Sequence, residues 1–86
     1  MRQHGKYREA IHLIEPILEE LKKPEYIDNY SSSLFLLGIC YFELGQYTNA
    51  QSLLVAGLNI ELSRNYDTRI SLFSYELSLV AYREGK

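Results

Sequence analysis

Eighty-six residues provide for one small domain, and a chain of that length buries only roughly 60–65% of its unfolded surface on folding. Hydrophobic residues at 47% and charged residues at 23% stand at the globular average, which excludes disorder, collagen-like repeats and a supercharged tail. A net charge of −2 leaves no chain-wide cationic field, which excludes nucleic acid and anionic membrane as main partners; the pair Lys22-Lys23 is too small to reverse that.

The opening Met1-Arg2-Gln3-His4 has no apolar leader stretch. From Tyr7 onward, Ala10, Ile11, Ile14, Ile17, Leu18 and Leu21 follow a spacing of i, i+3, i+4, i+7, which predicts one amphipathic helix. Pro16 stands inside it, and the loss of one backbone hydrogen bond plus a clash with the preceding turn predict a bend, not a break. Glu15, Glu19 and Glu20 form its solvated face, and Lys22 and Lys23 complement the helix dipole at its C-terminal end. Lys23-Pro24-Glu25 ends it, because proline disfavours helical geometry in the residue before it and suits the first turn of a new helix.

A second helix is predicted from about Tyr26 to Leu44. It is apolar nearly all round from Leu34 to Phe42, which marks it as the central one. That run of nine residues is about half of the ~20 that a membrane-spanning helix needs. Gly45-Gln46 closes it, Tyr47 to about Arg64 forms a third helix, and Asn65 separates this from a fourth running from about Tyr66 to Glu84. Alternating strand patterns and Asn-Gly or Asp-Gly hairpin signals do not occur, so the predicted fold is all-α, four antiparallel helices joined by short loops.

The chain also repeats itself. Aligning residues 5–46 with 45–86 without a gap gives nine identities in 42 pairs, among them Tyr7 with Tyr47, Ala10 with Ala50 and Leu37 with Leu77. Glycine recurs in phase at 5, 45 and 85, a period of 40 residues. The series Leu34, Leu37-Gly38, Tyr41, Gly45, Tyr47, Ala50, Leu54, Gly57 resembles the tetratricopeptide repeat, a helix-turn-helix unit with large and small residues at fixed offsets. Gly38, Ala50 and Gly57 are small where two helices must approach closely, and the large residues fill the gaps beside them. The resemblance implies a single domain over 1–86: one complete repeat at about 26–64, flanked by half repeats at 5–25 and 65–86. Ile17 stands where a small residue is usual in the family and Ala81 where a tyrosine is usual. The long period and the aromatic content are similar to those of the ligand-binding domains of Gram-positive peptide-pheromone receptors.

The inventory of reactive groups is thin. His4 and His12 are eight apart and have no ligand partners at metal-binding spacing, so His4 reads as part of a solvated end and His12 as a helix-surface residue. Cys40, the single cysteine, lies in the apolar run and reads as a buried inert thiol in a reducing cytoplasm. No phosphate-binding glycine loop occurs. The expectation is a non-catalytic chain without metal or cofactor.

In the tetratricopeptide arrangement the first helix of each unit lines a concave groove. The family's groove offsets fall on Ser32, Phe35, Ile39, Phe42 and Glu43 in the second helix. In the fourth they fall on Leu72, Tyr75, Leu79, Tyr82 and Arg83. Aromatic anchors and an arginine suit a peptide or protein ligand, although several of these residues would equally serve as core. Phe35 and Ile39 occupy offsets where a carboxylate-clamp groove has lysine and asparagine, which disfavours that ligand class. The half repeats imply two uncovered faces, with Tyr7, Ala10, Ile14 and Ile17 on the first helix and Leu77 and Ala81, beside Ser74 and Ser78, on the fourth. Either copies of the chain dock head to tail through them or flanking repeats of a longer chain cover them. The function implied is a peptide- or protein-binding module, with a peptide-responsive bacterial regulator as one setting and a structural self-association segment as the alternative.

Overall fold

Four α-helices carry the chain in the computed structural model, which describes residues 4–85: α1 His4–Ile14, α2 Ile27–Glu43, α3 Tyr47–Arg64 and α4 Asp67–Arg83. Met1, Arg2 and Gln3, read for a leader, the His4 side chain and Lys86 lie outside what it describes. There is no strand among the described residues. The all-α, tetratricopeptide-like fold expected from the period is the fold observed.

The helix ends follow from backbone chemistry. After α2, Gly45 takes φ +81°, its N–H bonds to Phe42 O at 3.0 Å, and Gln46 N–H bonds to Tyr41 O at 2.9 Å. This pair of bonds through a left-handed residue satisfies carbonyls that the last helical turn leaves free. Asn65 does the same after α3 at φ 57°, with Asn65 N–H on Leu62 O and Tyr66 N–H on Glu61 O. Gly85, at φ +81°, again follows α4. Left-handed stops therefore fall every 20 residues, at 45, 65 and 85. Gly5 departs from the phase, since it lies in the first turn of α1 without a positive φ.

Pro16 does more than bend the first helix. The α-helix stops at Ile14, and the chain continues as three 3₁₀ turns, Glu15–Ile17, Glu19–Lys22 and Pro24–Tyr26. Proline has no N–H to return to the carbonyl four residues back, so the ladder changes to shorter closures: Leu18 N–H to Glu15 O at 3.2 Å and Leu21 N–H to Leu18 O at 3.0 Å. Ile14 and Leu18 keep right-handed helical dihedrals, so the change is in hydrogen-bond pattern. The expected single helix from Tyr7 to Leu21 is corrected on this point. Tyr41 of α2 ties the segment down by donating to the Glu15 carboxylate at 2.5 Å. That bond, with burial second, pushes the Tyr41 hydroxyl up to about 12.

α2 packs against α1, α3 and α4, as its all-round apolar sequence requires. One cluster of buried side chains, Phe42, Ala50, Leu54, Phe73 and Val80, joins α2, α3 and α4. A second, Ile11, Leu37 and Cys40, joins α1 to α2 and receives Leu53 from α3. Burial raises the Cys40 thiol above its ordinary value. The small residues do what their spacing implied. A Cβ on Gly38 would meet Leu54 Cγ and Cδ2 at 2.7 Å, and one on Gly57 would run into the Phe73 ring.

Candidate binding groove

α2 and α4 touch, and Phe35 meets Phe73 edge to face with ring centroids 5.1 Å apart. Between the two helices lies a cleft of about 290 Å³. Its walls are Phe35 and Leu36 from α2 and Leu72 and Phe73 from α4, while Ser31, Ser32 and Arg69 form its polar end. Leu36 is 51% exposed and Leu72 47% exposed, so these walls meet solvent.

Three of the ten predicted groove residues, Ser32, Phe35 and Leu72, come together in this cleft. Ile39 and Leu79 are half-buried farther along the same two helices. Glu43, Tyr75, Tyr82 and Arg83 are exposed and do not line it. Phe42 is corrected to core: it is 6% exposed, with the Arg83 guanidinium lying over its ring at 5.2 Å. Ser31, Leu36, Arg69 and Phe73 were not anticipated. Leu36 is one helical turn beyond Ser32 and Arg69 one turn before Leu72, so helical spacing alone would have added both.

The polar end rests on a network that crosses three helices. Glu61 of α3 is fully buried and accepts a hydrogen bond from the Ser31 hydroxyl of α2. Arg64 Nη1 reaches its Oε1 at 3.3 Å and Arg69 Nη1 of α4 its Oε2 at 3.4 Å. Arg64 Nη2 also pairs with Asp28 Oδ1 at 2.6 Å, and that bond holds the guanidinium above its ordinary pKa. Both guanidinium groups stack on Tyr66, at 5.6 and 5.3 Å from its centroid. Every buried side-chain polar atom among the described residues has a partner.

The faces predicted for self-association are only partly free. Tyr7, Ala10 and Ile14 pack on the Ile11, Leu37, Cys40 cluster, and Leu77 packs on the cluster around Phe73. Tyr7, Ile14 and Leu77 are thereby turned toward the chain's own core. Ile17, at 46% exposure, stays outward, joined by the unanticipated Leu13 at 75%. Ala81, Ser74 and Ser78 are exposed as expected.

His12 lies on the surface of α1. Among the described residues no group of three or more His, Cys, Asp or Glu side chains could hold a metal ion, and no helix is long and apolar enough to cross a membrane.

Antiparallel helices stacked at a regular period, with an open cleft between α2 and α4, define a helical-repeat protein of the tetratricopeptide-like class. The family described as anaphase-promoting complex, cyclosome, subunit 3 matches over residues 3–85, and the chain belongs to this family of tetratricopeptide-like repeats. No curated protein and no solved structure matches it. Repeats of this kind serve in protein interaction and are generally non-catalytic binding modules.

Proposed function

We propose that the chain takes a short peptide, or an extended segment of a protein, into the cleft between α2 and α4. The observation that carries this reading is the apolar cleft itself, with Leu36 and Leu72 half exposed and the Phe35–Phe73 pair as a rigid wall behind them. Its volume suits one large side chain as an anchor. A peptide-responsive regulator is the finer form of this reading and rests on the 40-residue period and the aromatic content. A reducing, cytoplasmic setting belongs to the same reading, supported by the single buried thiol.

The test uses peptides selected on the intact chain from a displayed library of random dodecamers. Phe35 is a poor probe, since it contacts Phe73 of the core, and Tyr75 stands outside the cleft. Leu36→Ser with Leu72→Ser removes the exposed walls and should leave stability within about 1 kcal/mol. Binding of the selected peptides should fall at least about tenfold, or ~1.4 kcal/mol. Unaltered affinity in that double variant would move the binding surface elsewhere.

Self-association is a second reading, favoured by the outward Leu13 and Ile17 and by the small residues Ser74, Ser78 and Ala81 on the free side of α4. Small residues let a helix of another copy, or of a flanking repeat, approach closely. Light scattering across a hundredfold dilution should then show mass falling with concentration, and Leu13→Glu with Ile17→Glu should give a monomer throughout. A wild-type chain that is monomeric at every concentration ends this reading.

A further inference from the structure

The 40-residue period sets two helices of the chain on the other two. α1 repeats as α3, with Tyr7 on Tyr47, Ala10 on Ala50 and Leu13 on Leu53, and α2 repeats as α4, with Ser31 on Ser71 and Leu37 on Leu77. The contact between α2 and α3 is closed: Leu34 and Gly38 on one helix and Ala50, Leu54 and Gly57 on the other are all buried. A Cβ on Gly38 would stand 2.7 Å from Leu54 Cγ, and Leu53 packs on the cluster that holds Leu37. The repeated positions are open. On α1, Ala10 and Ile14 are only half-buried, Ile17 is exposed, and Leu13 is 75% exposed where Leu53 is half-buried. On α4, Ser74 and Ser78, which repeat Leu34 and Gly38, are exposed, and Leu77 is half-buried where Leu37 is fully buried. The two open faces fit each other in size. Ser78 is small where Ile14 is large, as Gly38 is where Leu54 is large, and in place of Leu34 and Gly57 stand Ser74 and Ile17, so the large residue has changed sides. α1 and α3 share this register as α-helix through Ile14, and Ile14 and Leu18 carry right-handed helical dihedrals across the 3₁₀ turn that follows.

We propose that a second copy of the chain covers both faces: α1 of one copy docks on α4 of the next as α3 docks on α2 within the chain, with Ile14 over Ser78 and Leu13 against Leu77. This rests on the self-association reading and gives it a partner face, a register and a polarity. The contact continues the α2–α3 interface from one molecule to the next. Its two halves are different surfaces, and every copy carries both, so the association is head to tail. A dimer then keeps one free α1 and one free α4, and growth runs past it.

The experiment follows the intact chain and two blocked forms by light scattering across a hundredfold dilution. Leu13→Glu with Ile17→Glu blocks α1, and Ser78→Glu blocks α4. All three positions are exposed, so circular dichroism should show wild-type helix content in both forms. Should either lose helicity, Leu13→Glu alone or Ala81→Glu, on the same exposed side of α4, replaces it. Wild type should pass the dimer mass at high concentration. Each blocked form alone should be monomeric throughout, and an equal mixture of the two should give a dimer that grows no further, because one supplies a free α1 and the other a free α4. Both blocks are acidic, so the two blocked faces repel each other and do not restore growth. Association that survives Ser78→Glu, a wild-type species that stops at the dimer, or a mixture that stays monomeric overturns the docking of α1 on α4 and leaves self-association standing. A wild-type chain that is monomeric at every concentration overturns that reading together with this inference, and leaves both faces to a flanking repeat or to a helix of another protein.

Discussion

A Glu61→Leu chain should be less stable than wild type by about 2–4 kcal/mol in urea unfolding followed by circular dichroism. The leucine fills a similar space, so the loss is polar in origin. Ser31 is fully buried and would be left without its acceptor, at a cost of about 1–3 kcal/mol. Arg64 and Arg69 would lose a partner as well, but their side chains are 29% and 26% exposed and reach water, and Arg64 keeps Asp28. The full ~3–5 kcal/mol for stranding a buried ion is therefore not reached. A domain of this size has only about 4–13 kcal/mol in total, and the melting temperature should fall by about 8–30 °C. Glu61→Gln keeps an acceptor for Ser31 and should lose less. A change below about 1 kcal/mol in the leucine variant would mean that the network is not what joins α2, α3 and α4 at this end.

The sequence carried this glutamate's burial without announcing it. Ala50, Leu54, Gly57 and Glu61 fall at i, i+4, i+7 and i+11, one continuous helix face, and all four are buried. An acidic residue on that face ordinarily reads as solvated, and what reverses the reading is a set of partners on other helices, up to 30 residues away, which no local period encodes. The helix boundaries were legible for the opposite reason. Gly45 and Asn65 are local stop chemistry, and α3 runs over the predicted Tyr47–Arg64. Pro16 was legible as a disturbance but not in kind, because whether a helix bends or passes into 3₁₀ turns depends on outside holds such as the Tyr41 bond to Glu15. On α1 the apolar stripe is wider than one neighbour can cover, so its exposed edge is set by where α2 sits. Leu13 faces out and Tyr7 does not for that reason. The groove was half legible: family offsets placed Ser32, Phe35 and Leu72, whereas Tyr75 and Tyr82 fall on the outer flank of α4.

Gly57 should show the largest packing effect of any single position. Gly57→Ala gains about 1 kcal/mol of helix propensity, yet its Cβ would enter the space of the Phe73 ring. Movement of that ring is restricted, since Phe73 is 1% exposed and braced edge to face by Phe35. At an approach this close the overpacking cost falls at the upper end of about 1–3 kcal/mol, so Gly57→Ala should be destabilised by about 1–2 kcal/mol net of the propensity gain and Gly57→Leu by more than about 3 kcal/mol. Gly38→Ala should follow in the same direction but less steeply, because Leu54 is an aliphatic side chain with a choice of rotamers. Gly5→Ala serves as the control: nothing lies within 4 Å of a Cβ there, so only the propensity gain remains and the chain should be slightly more stable. The mechanism, and not just the sign, is tested by shrinking the obstacle. Phe73→Leu costs stability alone, but in a Gly57→Ala background it should cost about 1 kcal/mol less than it does in wild type, since it relieves the strain. Additive losses would place the strain of Gly57→Ala elsewhere in the helix and would remove the close α3–α4 approach as the reason for glycine at this position.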